Sequence, residues 1–277
     1  MADGLDPEAV AQAVAEAEPE VVVNELTAID TAKFSRSIDK MFTHTNRLRT
    51  EGTDHLLAAA RAVGARRFVA QSFAGWPYER TGGPVKTEDD PLSTSPPKTV
   101  SQTLRGIRHS EEAVTGAEGI EGLALRYGGF YGPGTSIALN PDGEQVTMMR
   151  KGRLPIIGDG GGIWSLVHIA DAASATAAAV ERGPAGIYNV ADDEPAPIGM
   201  ILTELAKVIE VKPPRRIPRW LGRLIAGEGM TVMMTEIRGA SSDKAKRELG
   251  WKPRYPSWRL GFRELEAGDS EPIEVTA

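Results

Sequence analysis

Residues 46–76, NRLRTEGTDHLLAAARAVGARRFVAQSFAGW, decide how this chain folds. Leu48, Gly52, Leu56, Ala59, Ala60 and Val63 recur at helical spacing on one face. Gly64 follows the last apolar residue, where a left-handed cap suits glycine best. Arg66 and Arg67 then stand near the negative end of that helix dipole. Phe68, Val69 and Ala70 form a short apolar run that ends at polar Gln71 and Ser72. A helix leading into a continuous apolar run reads as a parallel strand covered on both faces. Ligands of such sheets bind at the carboxyl ends of the strands. Gln71 and Ser72 are therefore the first site candidates.

The same alternation continues on either side. Asp6, Pro7 and Glu8 open a helix with a capping acid, a proline in the first turn and a second acid. Val21, Val22 and Val23 read as a buried strand leading into Asn24, Glu25, Leu26 and Thr27. Helix, strand, helix, strand implies a parallel sheet with crossover helices, an α/β fold. Residues 77–98, rich in Pro, Gly, Thr and Asp, read as a long loop, either functional or a surface insertion. Residues 101–114 read as a helix and 123–127 as a strand, with the glycine-rich loop 128–134 at its carboxyl end. Residues 154–157, the glycine turn 158–162 and residues 163–169 read as strand, turn, strand. Asp171 is read as the cap of an alanine-rich helix ending at Gly183 and Pro184. A strand over 187–190, a helix over 198–209 and a last short helix over 242–249 complete the pattern.

Composition narrows the function. The chain has 277 residues, 41% hydrophobic and 25% charged, with a net charge of -6 and no long basic run, which argues against nucleic acid as a partner. Absence of cysteine excludes disulfides, thiolate metal sites and cysteine nucleophiles. The acidic start lacks a signal-peptide pattern and no apolar run is long enough to span a bilayer, so the expectation is a cytoplasmic protein without membrane contact. His44, His55, His109 and His168 show no metal spacing, and no metal is expected. The basic and apolar segment 215–234 reads as a lid or core helix, with a membrane-surface helix as its rival.

The order of these segments carries a family likeness. The phrases NRLRTEGTDHLLAAARAVGARRFVAQS, LALRYGGFYGPG, GDGGGIWSLVHIADAASA, GIYNVADDEP and SSDKAKRELGWKPRY resemble the extended short-chain dehydrogenase/reductases. More narrowly, they resemble the NAD-dependent epimerase/dehydratase group. The resemblance runs from Asp3 to about Arg263. It implies a Rossmann-like parallel sheet that binds NAD or NADP, a smaller C-terminal substrate lobe, and an oxidoreductase acting on a small carbonyl or alcohol. The expected organisation is a partial Rossmann region over 1–135, a mixed region with substrate lobe and returning sheet elements over 136–265, and a flexible tail over 266–277.

Three departures from the family pattern shape the expectation. The family opens with a strand, a G-x-x-G-x-x-G turn and a helix. When the later segments are aligned, Asp3 stands at the end of the third strand, so roughly 40–50 residues of the pattern, more than one βαβ unit, fall before Met1. The chain is read as N-terminally truncated, without the turn that holds the pyrophosphate. A sheet edge left open in this way predicts a homodimer or poor solubility. Second, the family uses Ser/Thr with Tyr-x-x-x-Lys. Here the Ser position falls at Phe73, beside Ser72, and the Tyr and Lys positions fall at Thr103 and Ile107 or at Leu104 and Arg108. Third, Trp164 and Gly129 stand where nucleotide-sugar enzymes carry Arg and Asn, which points to a smaller or more apolar ligand.

On this resemblance, catalytic candidates are Ser72, Thr103 and Arg108. Cofactor candidates are Asp3, Leu26, Thr27, Arg49, Gln71, Ser72, Tyr127 and Phe130. Arg49 stands in register with the asparagine of the family's N-x-x-G-T. Substrate candidates are Phe73, Gly129, Tyr131 and Trp164. Each has a packing role as its rival. Two other functions stay open: a ligand-binding pseudoenzyme or regulator, and a triad-free isomerase or lyase.

Overall fold

The computed structural model describes residues 2–29, 35–74, 78–139 and 141–267. Trp76, Pro77 and the tail beyond Ala267 lie outside the described residues. Helix α1 (Pro7–Ala17) is capped by the Asp6 side chain, which accepts from the N–H groups of Glu8 and Ala9. Strand β1 (Val21–Asn24) follows. The chain then winds through α2 (Ile38–Met41), α3 (Thr43–Arg47), a π turn (Leu48–Gly52) and α4 (Thr53–Ala62). A π turn holds one residue more than an α turn, which rotates the face of α4 relative to the turns before it. Leu57 is the more buried leucine of α4, and Leu56, on the expected face, packs partly buried against the same core.

Strand β2 (Arg67–Phe73) ends the deciding stretch as expected. A two-residue strand β3 (Val85–Lys86) lies inside the long loop. Then come α5 (Ser101–Thr115), β4 (Glu121–Tyr127), β5 (Gly129–Tyr131) and α6 (Glu144–Arg150). Short strands β6 (Ile156–Ile157), β7 (Ile163–Trp164) and β8 (Leu166–His168) lead into α7 (Ile169–Glu181) and β9 (Gly186–Val190). The C-terminal part holds β10 (Ala196–Pro197), α8 (Ile198–Val208), β11 (Arg216–Ile217), α9 (Arg219–Thr235), β12 (Gly239–Ala240), α10 (Asp243–Glu248) and α11 (Trp258–Ala267).

The central sheet has the order β1-β2-β4-β9, parallel throughout. Because side chains alternate across a strand, Val22, Phe68 and Ala70 face Leu57, Ala60 and Val114 of α4 and α5. Val69, Leu123, Leu125 and Tyr188 face the other way, against Ala172, Ala175, Ala178 and Ala179. Those alanines let α7 lie close to the sheet. Gly122 has the same purpose opposite α5, since a Cβ there would lie 1.8 Å from the Val114 carbonyl oxygen. A second core joins Ile156, Leu166, Ile201 and Leu205 to Trp258 and Phe262.

Several expectations are corrected. Val23 is exposed rather than buried, because β1 is an edge strand whose only partner among the described residues is β2. Arg67 does serve a helix end, but that of α7: it donates to the carbonyls of Ala179, Arg182 and Gly183 and pairs with Glu121 at 2.6 Å. Residues 154–169 do run strand, turn, strand, but the strands find their partners elsewhere. β6 pairs with β11, β7 with β10 and β8 with β5, each more distant strand offering the matching edge. Asp171 does not cap α7. His168 does so, through Nδ1 and the Ala170 N–H, while Asp171 is buried and accepts from the N–H groups of Arg254 and Tyr255. Residues 78–98 are no plain surface insertion, since Tyr78, Lys86, Leu92 and Ser93 are buried.

Candidate functional site

The carboxyl ends of β1, β2 and β4 meet where a parallel sheet places its ligands. Just below that edge, Ser72, Arg126 and Asn189 lie side by side in register on neighbouring strands, turned toward α5. Arg126 grips Glu111 of α5 with two hydrogen bonds, Nε to Oε1 and Nη2 to Oε2, both 2.7 Å. Ser72 Oγ donates to the same Oε1 at 2.6 Å. Arg126 Nη1 donates to the Tyr78 hydroxyl, which donates to Asn189 Oδ1 at 2.6 Å. The Asn189 N–H in turn donates to Glu88. Burial alone would lower the Arg126 pKa, but the Glu111 carboxylate more than reverses this, and Arg126 stays charged. Burial pushes the Tyr78 phenol up to about 12. The row is an ionic lock that ties loop 78–98 to the sheet, and it holds Ser72.

Thr103 is held in a different network. Its hydroxyl donates to Asp39 and accepts from Asn46 Nδ2, while Asp39 also takes the N–H groups of Gln102 and Thr103. Asp39 thus caps α5 from outside that helix. Arg108 faces elsewhere and donates to the Leu92 and Ser93 carbonyls. The structure does not bring Ser72, Thr103 and Arg108 together. Each fastens a different element, and no Tyr-Lys pair replaces them on α5. Beside Thr103, two buried polar atoms have no partner among the described residues: Asn46 Oδ1, an acceptor, and Arg49 Nη1, a donor. Burial pulls the Arg49 pKa down to about 10, opposed by the Glu111 charge, so Arg49 remains a cation at neutral pH.

On the α7 side, Glu25, Tyr127 and Thr176 form a chain. The Tyr127 hydroxyl lies 3.0 Å from Glu25 Oε1 and 2.6 Å from Thr176 Oγ1, and Thr176 reaches the Ala172 carbonyl at 2.9 Å. Three contacts need three hydrogens, and the two hydroxyls carry two. A protonated Glu25 supplies the third, with every donor pointing toward Ala172. With Glu25 ionised the chain reverses, Thr176 donating to Tyr127 and Tyr127 to Glu25, at the loss of only the Ala172 contact. Although residue Glu25 is exposed along its length, loss of water around its carboxyl pushes the pKa from 4.5 to about 7, with the Tyr127 hydroxyl opposing. A raised pKa means that folding binds a proton. This contribution to stability is complete below 4.5 and is lost as pH rises through about 7. Glu25→Gln is therefore expected to gain on the wild type as pH climbs through that window, read as urea midpoints. Parallel profiles would show that Glu25 titrates normally.

The remaining sequence candidates scatter. Asp3 is exposed and accepts from the Leu5 N–H ahead of α1. Leu26 and Thr27 are exposed on the segment after β1, and Gln71 and Phe73 are half-buried at the end of β2. Phe130 is half-buried, its ring 5.4 Å from Tyr127. Leu26, Thr27, Gln71, Phe73 and Phe130 end or follow β1, β2 and β4 and so lie at the carboxyl edge of the sheet. Tyr131 turns into the core, 5.2 Å from the His168 ring and 5.4 Å from Phe262. Gly129 lies against Leu166, and Trp164 donates to the Met233 carbonyl. Glu25, Glu111 and Thr176 are absent from the sequence candidates. For Glu25 a signal existed, an acid directly after an apolar strand. Among the described residues no group of acids or histidines is arranged to hold a metal, and no helix is long and apolar enough to cross a membrane.

The sequence pattern of the NAD dependent epimerase/dehydratase family matches residues 1–191. The chain belongs to that family. A Streptomyces 3-diazoavenalumate denitrifying reductase is 45% identical over 265 residues, covering 95% of this chain and 84% of the relative. In structure, the Thermotoga maritima UDP-glucose 4-epimerase solved with UDP-glucose superposes with a TM-score of 0.75 at 19% identity, covering 96% of this chain and 82% of the epimerase. A human epimerase family protein solved with NADPH gives 0.72 at 16% identity, covering 92% and 86%. The Rossmann-like fold and an oxidoreductase-like role are thereby established, and NAD or NADP is the cofactor of such proteins.

Groups that would suit one end of that cofactor are present: a nicotinamide riboside presents hydroxyls, and Arg49 Nη1 and Asn46 Oδ1, both buried, have no partner among the described residues. The segment after β1, together with Gln71, Phe73 and Phe130, borders the same edge. The pyrophosphate end is not matched: among the described residues no glycine turn follows a strand and opens a helix.

Proposed function

We propose that this chain is a nicotinamide-dependent reductase of a small aromatic acid carrying a diazo group, which it reduces with loss of dinitrogen. The observation that carries the reading is the 45% identity to the denitrifying reductase across 95% of the chain. The site chemistry supports it. Reduction of a carbonyl builds charge on oxygen and calls for an acid, which the family's tyrosine provides. At that position this chain has Thr103, committed to Asp39 and Asn46, or buried Leu104. An aryl diazonium needs no such acid. It accepts the hydride pair, the carbon–nitrogen bond breaks, a carbon–hydrogen bond forms and dinitrogen leaves, with charge balanced and no proton required. The nicotinamide, when bound, supplies the hydride.

The test is single-turnover reduction of a diazotised aminocinnamate with NADH or NADPH carrying deuterium at the transferable position. The expected product is the arene with one deuterium on the former diazo carbon, and one equivalent of dinitrogen. Cofactor binding without turnover would instead favour a regulator. Turnover without cofactor would favour an isomerase or lyase.

A further inference from the structure

A groove of about 580 Å³ opens between the segment ahead of α2 and the first half of α9. Arg36 and Lys40 supply its charge, Ser37 and Thr99 its hydroxyls, and Leu224 and Ile225 its apolar surface. It lies on the ligand side of the sheet. A helix that leads into a parallel strand starts at the carboxyl edge, and Thr99 stands just ahead of α5. The groove therefore joins the sheet half of the chain to its C-terminal half, none of it part of the Ser72–Glu111–Arg126 network.

The two sides of the groove are fixed to each other. Helix α9 breaks at Gly227, whose φ of 86° is one that glycine alone adopts readily. The Arg36 carbonyl fills the space there: a Cβ on Gly227 would lie 2.0 Å from it. Arg36 Nη1 also donates to the Leu224 carbonyl just ahead of the break, at 3.2 Å. Lys40 has no ion pair among the described residues. Leu224 and Ile225 are 60% and 51% exposed, and Trp220, one turn before Leu224, is 68% exposed. Along the sequence, residues 212–226 carry Lys212, Arg215, Arg216, Arg219 and Arg223 and no acid, with Arg219 paired to Glu236 and Glu228 following the break. The net excess of cations on this segment favours small anions.

We propose that this groove binds the carboxylate end of a small aromatic acid, with Arg36 and Lys40 taking the carboxylate and Leu224 and Ile225 covering the ring. The assignment deepens the reductase reading and rests on it for the class of acid. Arginine presents paired donors that match a carboxylate. Leucine and isoleucine at the same opening gain from covering a ring, which a purely ionic surface site would not.

The experiment is calorimetric titration of trans-cinnamate and of neutral cinnamamide into the wild type, Lys40→Gln and Arg36→Gln/Lys40→Gln. The wild type is expected to bind the acid about ten- to a hundred-fold more tightly than the amide. The double variant should lose that preference, read as the acid-to-amide ratio within each protein, because Arg36 also holds the Leu224 carbonyl. Lys40→Gln alone should lose part of it with an unchanged thermal transition, since the Lys40 side chain has no ion pair among the described residues. Equal binding of acid and amide by the wild type, no binding of either, or a preference that survives in the double variant overturns the proposal. The reductase reading fails separately. Selective cinnamate binding without hydride transfer leaves the groove standing, and hydride transfer with an unchanged KM in the double variant removes the groove and keeps the reductase.

Discussion

Replacing Arg126 by methionine is expected to destabilise the protein by about 3–5 kcal/mol, because it leaves a carboxylate buried without its counter-charge. Arg126 and Glu111 are each only 3% exposed, so water cannot take over the lost hydrogen bonds. The damage spreads along the row. Tyr78 loses the donor at its hydroxyl, and Ser72 is left donating to an unpaired carboxylate. Loop 78–98, which Tyr78 fastens to the sheet, should become the first site of proteolytic cutting. A companion variant separates the pair from its surroundings. Arg126→Met with Glu111→Leu removes both charges and should recover most of the loss, since apolar packing commonly replaces a buried ion pair without penalty. Urea denaturation of the wild type and both variants gives the comparison. A single variant within about 0.5 kcal/mol of wild type, the range of ordinary surface changes, would mean that water reaches Glu111 after all.

This network shows where sequence reasoning stops. Residues 46–73 could be read because local chemistry and tertiary structure agree there. A helix face, a glycine cap and an apolar run all point to one unit, and the structure has that unit. Ser72 could be placed at the sheet edge for the same reason. What it touches could not, because Glu111 lies 39 residues away on an amphipathic helix where a glutamate looks like any surface acid. Arg67 illustrates the same limit. Two arginines after a helix suggest that helix's own dipole, but the nearest free carbonyls belong to α7, more than 110 residues later. Residues 154–169 could be read as strand, turn, strand, and the structure has that order, but the partners of those strands could not be read. Apolar doublets around glycines mark short strands, and only the fold decides which edges are open to them. Glu25 was the one legible omission, since its position after β1 follows from the strand alone.

A second large effect is expected from pH, at Asp192. This residue follows β9, is 2% exposed, and accepts from the Glu194 N–H while its Oδ2 has no partner among the described residues. The Tyr131 hydroxyl, close enough to feel its charge, is unpartnered as well. Burial pushes the Asp192 pKa from 3.8 to about 8; the backbone N–H groups of Glu194 and Trp258 oppose this, and the charges of Glu194 and Asp193 add to it. The folded chain therefore keeps a proton that the unfolded chain releases. Its contribution is complete below 3.8 and is lost as pH rises through about 8. Across that window the loss is on the order of 6 kcal/mol, from about 1.4 kcal/mol per unit. Asp192→Asn holds the uncharged form permanently. Its stability relative to wild type should rise by about 1.4 kcal/mol for each pH unit between 5 and 7, read by urea denaturation. Glu25 titrates over part of the same range, but it does so in both proteins and cancels in the difference. Profiles that stay parallel would mean that Asp192 is ionised in the fold, which requires water at Oδ2. A rising difference would instead place a protonated acid next to the free Tyr131 hydroxyl, so that alkaline conditions loosen the packing of α11 on Tyr131 before they disturb the central sheet.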